Sequence, residues 1–189
     1  MPRHRDVTPD IWQIQFDRLT ERIEKLGYEV ELESRGQDRA ELGEVKTIII
    51  NSSKHAESRF YTLLHELGHV LIRTGWDDYS SFYPYFNFDP NADFDRRQER
   101  SRTYQVALIA EEIEAWRVGL EYARKRRYYV DKRKYSKESS TAIHSYIKWV
   151  YTIRERANQV GQKAAKSRQE SKRRRGRKAS KPSVQIDRS

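Results

Sequence analysis

The stretch Arg59–Ile72, RFYTLLHELGHVLI, constrains this chain more than any other. Phe60, Leu63, Leu64, Leu67, Val70 and Leu71 cover nearly every side of a helix drawn through it, and a helix that is apolar all round belongs in an interior. The same turns carry His65, Glu66 and His69. Burying two imidazoles and a carboxylate is costly unless each finds a partner. A lone core histidine is satisfied by an ordinary hydrogen bond, but this trio has a spacing with its own chemistry. Histidines at i and i+4 project to one side of a helix and can bind one metal ion together, with the intervening Glu beside that ion. Gly68 sits between Glu66 and His69. It costs about 1 kcal/mol relative to Ala inside a helix, which points to a close approach by another backbone or a ligand at that turn.

The chain has no cysteine, so thiolate metal sites, disulfides and cysteine nucleophiles are excluded. A hydrolytic zinc site takes three protein ligands and keeps one position open, so a third His, Asp or Glu is needed. His4, His55 and His144 have no motif around them, whereas EEIEAW offers Glu111, Glu112 and Glu114 on a helical pattern whose apolar stripe reads Ile109, Ile113, Trp116 and Leu120. At about 100° per residue, Glu112 falls about 60° from the middle of that stripe, Glu114 about 140° and Glu111 about 160°. Glu112 also shares a column with Leu108, Ala115 and Gly119. It is the carboxylate such a helix would bury and the candidate third ligand, while Glu111 and Glu114 read as a solvated face and stay as alternatives. The expected chemistry is peptide-bond hydrolysis at one Zn2+ ion held by His65, His69 and Glu112, with Glu66 as general base. An oxyanion-stabilising Tyr, His or Arg is expected nearby, but with twelve Tyr and many Arg the sequence does not single one out.

Around this helix the elements are regular. DIWQIQFDRLTERIEKL places Ile11, Ile14, Leu19, Ile23 and Leu26 on a helical face that Gly27 ends. YEVELES and EVKTIIINS read as two strands joined through the turn-like RGQDRAELG, and a hairpin is expected. Ser53 is the cap candidate of the next helix. The segment 76–100, with SFYPYFNFDP, reads as a loop folded over the site, and two further helices are expected in TYQVALIAEEIEAWRVGLEYARKRR and SSTAIHSYIKWVYTIRERANQV, with KRRYYVDKRKYSK as connector. Only 36% of residues are hydrophobic and mean hydropathy is -1.02, yet there are 12 Tyr, 6 Phe and 4 Trp. The core must be small and aromatic. The fold class read from this is α+β: a mainly helical zincin-like domain over residues 1–161, with a small antiparallel sheet beside the HELGH helix, followed by a disordered basic tail over 162–189.

At this point the chain resembles the ImmA/IrrE-type metallopeptidases of bacteria, phages and mobile elements. The resemblance rests on Arg59-Phe60 ahead of HELGH, a preceding strand ending in IIIN, and an ExEA segment on a later helix. It spans roughly positions 28 to 123. It implies a gluzincin-like arrangement with His65 and His69 as ligands, Glu66 as base and Glu112, the first Glu of ExxA, as third ligand. Trp116 stands where that family usually has Asn. The resemblance also implies a substrate among regulatory proteins of the repressor or antitoxin kind.

Net charge is +10, of which residues 162–189 carry +9. Lys172, Arg173, Arg174, Arg175, Arg177 and Lys178 suit the phosphates of nucleic acid bound without sequence readout; a solubilising tail is the plainer reading. The basic runs at 124–127 and 131–134 read as solvated connector. MPRHRDVTPD lacks an apolar leader region and no apolar run approaches the roughly 20 residues of a membrane span, so a cytoplasmic protein without membrane partner is expected. The competing function class is a non-enzymatic nucleic-acid- or regulator-binding protein whose metal is structural or absent. Glu66 argues against it, since a structural His2Glu site has no use for a base. Oligomeric state is not legible.

Overall fold

A computed structural model describes residues 9–42, 45–75 and 101–179. The chain divides into two compact units, Met1–Ile147 and Lys148–Ser189.

In the first unit, α1 (Pro9–Glu24) buries Trp12, Phe16, Leu19 and Ile23, spaced four, three and four apart. The face expected from sequence is rotated: Ile11, Ile14 and Leu26 are exposed. Two aromatic residues bury more area than two isoleucines, and they turn the helix toward them. Gly27 ends it as expected, at φ 84°, with Tyr28 N–H bonded to the Ile23 carbonyl and Gly27 N–H to that of Glu24. This is the Schellman arrangement that glycine permits.

Three strands follow: β1 (Glu29–Glu33), β2 (Arg39–Leu42) and β3 (Lys46–Asn51), in the order β1-β3-β2. The hairpin expected between the two sequence-evident strands is replaced. β1 runs parallel to β3, Glu29 opposite Thr47, and the antiparallel partner of β3 is β2, Arg39 opposite Ile49. Strand β2 lies inside the segment read as a turn. Thr47, Ile48, Ile49 and Ile50 are all buried in the central strand, the continuous apolar run expected of a strand covered on both faces.

The helix of the opening stretch is α2 (Ala56–Gly75). Its first helical bond goes from Arg59 N–H to the His55 carbonyl, so His55 and not Ser53 holds the cap position. Phe60, Tyr61, Leu63, Leu64 and Leu67 are fully buried, each contributing on the order of 1.5–3 kcal/mol. Helix α1, strands β2 and β3, and α3 (Arg102–Lys125) all pack on α2. Ser101 caps α3 through a bond from Tyr104 N–H.

The packing of α2 on α3 sets the site. A Cβ at Gly68 would collide with the Ala115 carbonyl oxygen, and one at Gly119 with the Leu64 carbonyl oxygen. The two backbones touch at two levels because each contributes a glycine there. The close approach predicted at Gly68 is therefore the backbone of α3. This also rotates α3 from its expected stripe: Gln105, Glu111, Glu112, Ala115, Trp116, Gly119 and Ala123 are buried while Ile113 is exposed. Small residues, not isoleucines, allow that contact.

Helix α4 (Lys132–Ala179) begins earlier than expected. Asp131 accepts from Arg133 N–H and Lys134 N–H and serves as its cap. The connector before it is pinned: Gln15 bonds both backbone groups of Tyr129, and Asp131 N–H donates to the Tyr61 hydroxyl. A ladder of edge-to-face rings runs Trp12, Tyr61, Tyr135, Trp116, with centroids 5.4, 5.3 and 5.1 Å apart. It carries the aromatic core from α1 to the site, and the Tyr135 hydroxyl donates to the Trp116 carbonyl.

In the second unit the backbone from Lys148 is helical to Ala179. The coreless character expected of residues 162–189 is seen in exposed Gln162, Lys163 and Lys166–Gln169. Ala, Lys, Arg, Gln and Glu are strong helix formers by intrinsic preference, so a helical backbone to Ala179 agrees with a tail that contributes no core. Residues 180–189 lie outside the described ones. No helix among the described residues is long and apolar enough to cross a membrane.

Candidate metal centre

His65 and His69, four apart on α2, face Glu112 on α3. Nε2 of His65 lies 3.3 Å from Oε2 of Glu112, and Nε2 of His69 lies 3.5 Å from Oε1. One ligand atom from each residue falls within 4.8 Å of the others. Bonds of about 2.0–2.1 Å at tetrahedral angles set donors about 3.3–3.4 Å apart, and each histidine Nε2 stands near that distance from one of the two Glu112 oxygens. All three residues are buried or at the edge of burial, at 7%, 9% and 5% exposure. Glu112 Oε2 makes no hydrogen bond among the described residues. A buried carboxylate oxygen beside an imidazole nitrogen needs a donor or a cation as partner, and this donor set suits a cation. These residues can hold one metal ion.

Around them the charges are strongly coupled. Burial opposes charge on Glu112, but the two imidazoles outweigh it and hold its carboxyl well below the usual range. Burial likewise opposes charge on His69, yet Glu111 and Glu112 together raise its pKa to about 10. Glu66 is pushed up, first by burial and then by the carboxylates of Glu112 and Asp38, against the pull of the two histidines.

Glu66, His65, Glu112 and Tyr146 line both of two adjoining hollows. The larger is a cleft of about 820 Å³ that runs past Trp116 and Ala142 to Lys54, Glu57 and Lys137. The smaller, about 190 Å³, reaches His69, Arg73 and the β2 residues Arg39 and Ala40. The site is therefore open along a groove among the described residues, and segment 76–100, expected to lie over it, falls outside them.

Of the residues proposed from sequence, His65, Glu66, His69 and Glu112 come together. Glu114 does not: it pairs with Arg117 on the outer face of α3. Glu111 was expected in solvent and is 1% exposed, bonded to Nδ1 of His69 at 3.1 Å and to Arg73. The rotation of α3 explains the error. His144 is exposed, His55 caps α2 at the far end of the cleft, and His4 lies outside the described residues. Lys172–Lys178 fall in the helical second unit, and their side chains lie outside the described ones.

Three contributors were not foreseen. Trp116 stacks on His65, centroids 4.4 Å apart and planes 16° apart. Arg73, four residues after His69, meets Glu111. Tyr146 brings its hydroxyl beside Glu112, and burial and that carboxylate push its pKa well above the usual phenol range. Arg73 was legible in principle, since it shares the column of His65 and His69.

Residues 22–104 match the model of a peptidase family, described as the IrrE N-terminal-like domain. The ImmA/IrrE-type resemblance drawn from Arg59-Phe60, HELGH and the IIIN strand is thus supported over the IrrE-like segment, which contains both histidines and Glu66 and stops short of Glu112. It supports a metallopeptidase. Nothing in the match connects the chain with phages. No curated protein and no solved structure matches it.

Proposed function

We propose that the chain is a zinc-dependent endopeptidase in which His65, His69 and Glu112 hold the ion and Glu66 is the general base. The observation that carries this reading is the convergence of three buried ligands and a second buried carboxylate, Glu66, where two hollows adjoin among the described residues. When bound, zinc supplies a Lewis acid that polarises the scissile carbonyl and acidifies a water. Glu66 takes the proton of the attacking water and passes it to the departing amine; burial pushes its carboxyl pKa up. Tyr146 keeps its proton and donates to the oxyanion as it forms. The cleft past Trp116 and Ala142 accepts the peptide. Its substrate is a regulatory protein of the repressor or antitoxin kind, a reading that rests on the family likeness.

The test is zinc content by elemental analysis of wild type, His69→Ala and Glu112→Gln, followed by cleavage of a quenched fluorescent peptide library. Stoichiometric zinc in wild type, lost in both variants, with cleavage abolished in a zinc-loaded Glu66→Gln, is the expected result. Absence of zinc under zinc-replete conditions refutes the proposal and favours a binding protein that keeps only the fold.

A further inference from the structure

We propose that Glu111 is a positioning residue that fixes the tautomer and orientation of His69, with Arg73 holding Glu111 in place. The inference rests on the metal reading above. Glu111 Oε1 lies 3.1 Å from Nδ1 of His69 and accepts from Arg73 Nε at 3.0 Å, with Arg73 Nη2 at 2.9 Å from the same oxygen. A carboxylate oxygen accepts and does not donate. Nδ1 of a neutral His69 therefore carries the proton, and the lone pair sits on Nε2, the atom 3.5 Å from Glu112.

Helix geometry makes this possible. Glu111 and Glu112 are adjacent on α3 and point about 100° apart, so one carboxylate faces each nitrogen of the His69 ring. Two neighbouring buried carboxylates repel one another, and Arg73, which shares the His65–His69 column of α2, supplies the opposing charge. Such a carboxylate–imidazole–metal arrangement raises the basicity of the ligand and holds its plane.

His65 is held differently. Its buried Nδ1 has no hydrogen-bond partner among the described residues, and its ring lies flat on Trp116, four residues after Glu112 on the same face of α3. One imidazole is fixed by a charged acceptor and the other by an aromatic face. Loss of Glu111 should therefore be felt at His69 and not at His65.

The experiment uses the zinc-loaded full chain. Long-range proton–nitrogen correlation spectra of the histidine rings report which nitrogen carries the proton, and chelator competition reports zinc affinity. In wild type, His69 is expected to be protonated at Nδ1, with slow exchange of that proton, and coordinated through Nε2. In Glu111→Gln, zinc affinity should fall about 10–100-fold and the Nδ1 proton should exchange faster, with the His65 signals unmoved. Arg73→Gln should shift both readouts in the same direction by a smaller factor. Coordination of His69 through Nδ1 in wild type, or zinc affinity in Glu111→Gln within twofold of wild type, overturns the inference while leaving the metal site standing. Wild type that takes up no zinc overturns both. If Glu111→Gln does not fold by circular dichroism, the wild-type ring spectrum decides alone.

Discussion

Replacing Gly68 by Ala separates two forces of known size. On an exposed helix the change would stabilise by about 1 kcal/mol, because Ala is the better helix former. Here the new methyl meets the Ala115 carbonyl oxygen, and ordinary contact lies well over an ångström farther out. That oxygen belongs to backbone and cannot turn away, so α2 and α3 must part. Overpacking of this kind costs typically about 1–3 kcal/mol, and more where backbone has to move. Net destabilisation of about 1–2 kcal/mol is expected, or roughly 2–8 °C in melting temperature for a domain of this size. The same displacement carries Glu112 away from His65 and His69, whose separations of 3.3 and 3.5 Å leave a zinc site little slack, since bond lengths vary by about 0.2 Å. Zinc affinity should drop by about tenfold or more. Gly119→Ala presses on the Leu64 carbonyl between the same helices, so the double variant should cost less than the sum of the two, the second methyl entering space the first has opened. Thermal melts of the metal-free proteins and chelator competition measure all of this. A Gly68→Ala protein as stable as wild type or more so, with unchanged zinc affinity, would refute the claim that backbone contact at these glycines builds the site.

Tyr146→Phe should lower kcat about 10²–10³-fold at unchanged zinc content and nearly unchanged KM; wild-type turnover would remove Tyr146 from the oxyanion role. In the metal-free protein, nuclear magnetic resonance should find His69 titrating far above the ordinary 6.5, near 10. Because that folded value is raised, its contribution to metal-free stability is complete below about pH 6.5 and is lost as pH rises through about 10; a midpoint below about 8 would contradict the coupling to Glu111 and Glu112. Replacing Lys172, Arg173, Arg174, Arg175, Arg177 and Lys178 together by Gln should abolish sequence-independent duplex binding by the full chain. The wild-type affinity should fall with a log–log salt slope of about -5 if six phosphates are engaged. Binding unchanged by the substitutions would leave the tail a solubilising segment.

His65, Glu66 and His69 were legible because one helix fixes their mutual geometry, and helix geometry is local. Glu112 was legible less securely. A carboxylate near the buried side needs a cation, but a stripe centred on Ile109 and Ile113 misplaces the buried face, for Ile113 is exposed. Apolar content ranked those positions first, whereas the contact is made by Gly68, Gly119 and Ala115, residues whose value lies in what they lack. The resulting rotation buries Glu111 and exposes Ile113, which is why the positioning carboxylate was mistaken for solvated surface. The strand pairing failed for a similar reason. Alternation tells which face of a strand is buried, not whether its neighbour runs parallel, and the short β2 carries too few apolar residues to announce itself. Tyr146 had no local signal at all, since its place follows from the direction of α4, set by Asp131 at its start and by the Tyr135–Trp116 bond. One column would have told more than was read from it. Arg73 follows His69 by four residues on a helix already judged interior, and a cation placed there demands an anion. On the facing helix Glu111 is the carboxylate left once Glu112 is given to the metal and Glu114 to Arg117. Every charged residue of a buried helix demands a partner, within a motif or outside it, and that demand alone points from Arg73 to the second carboxylate.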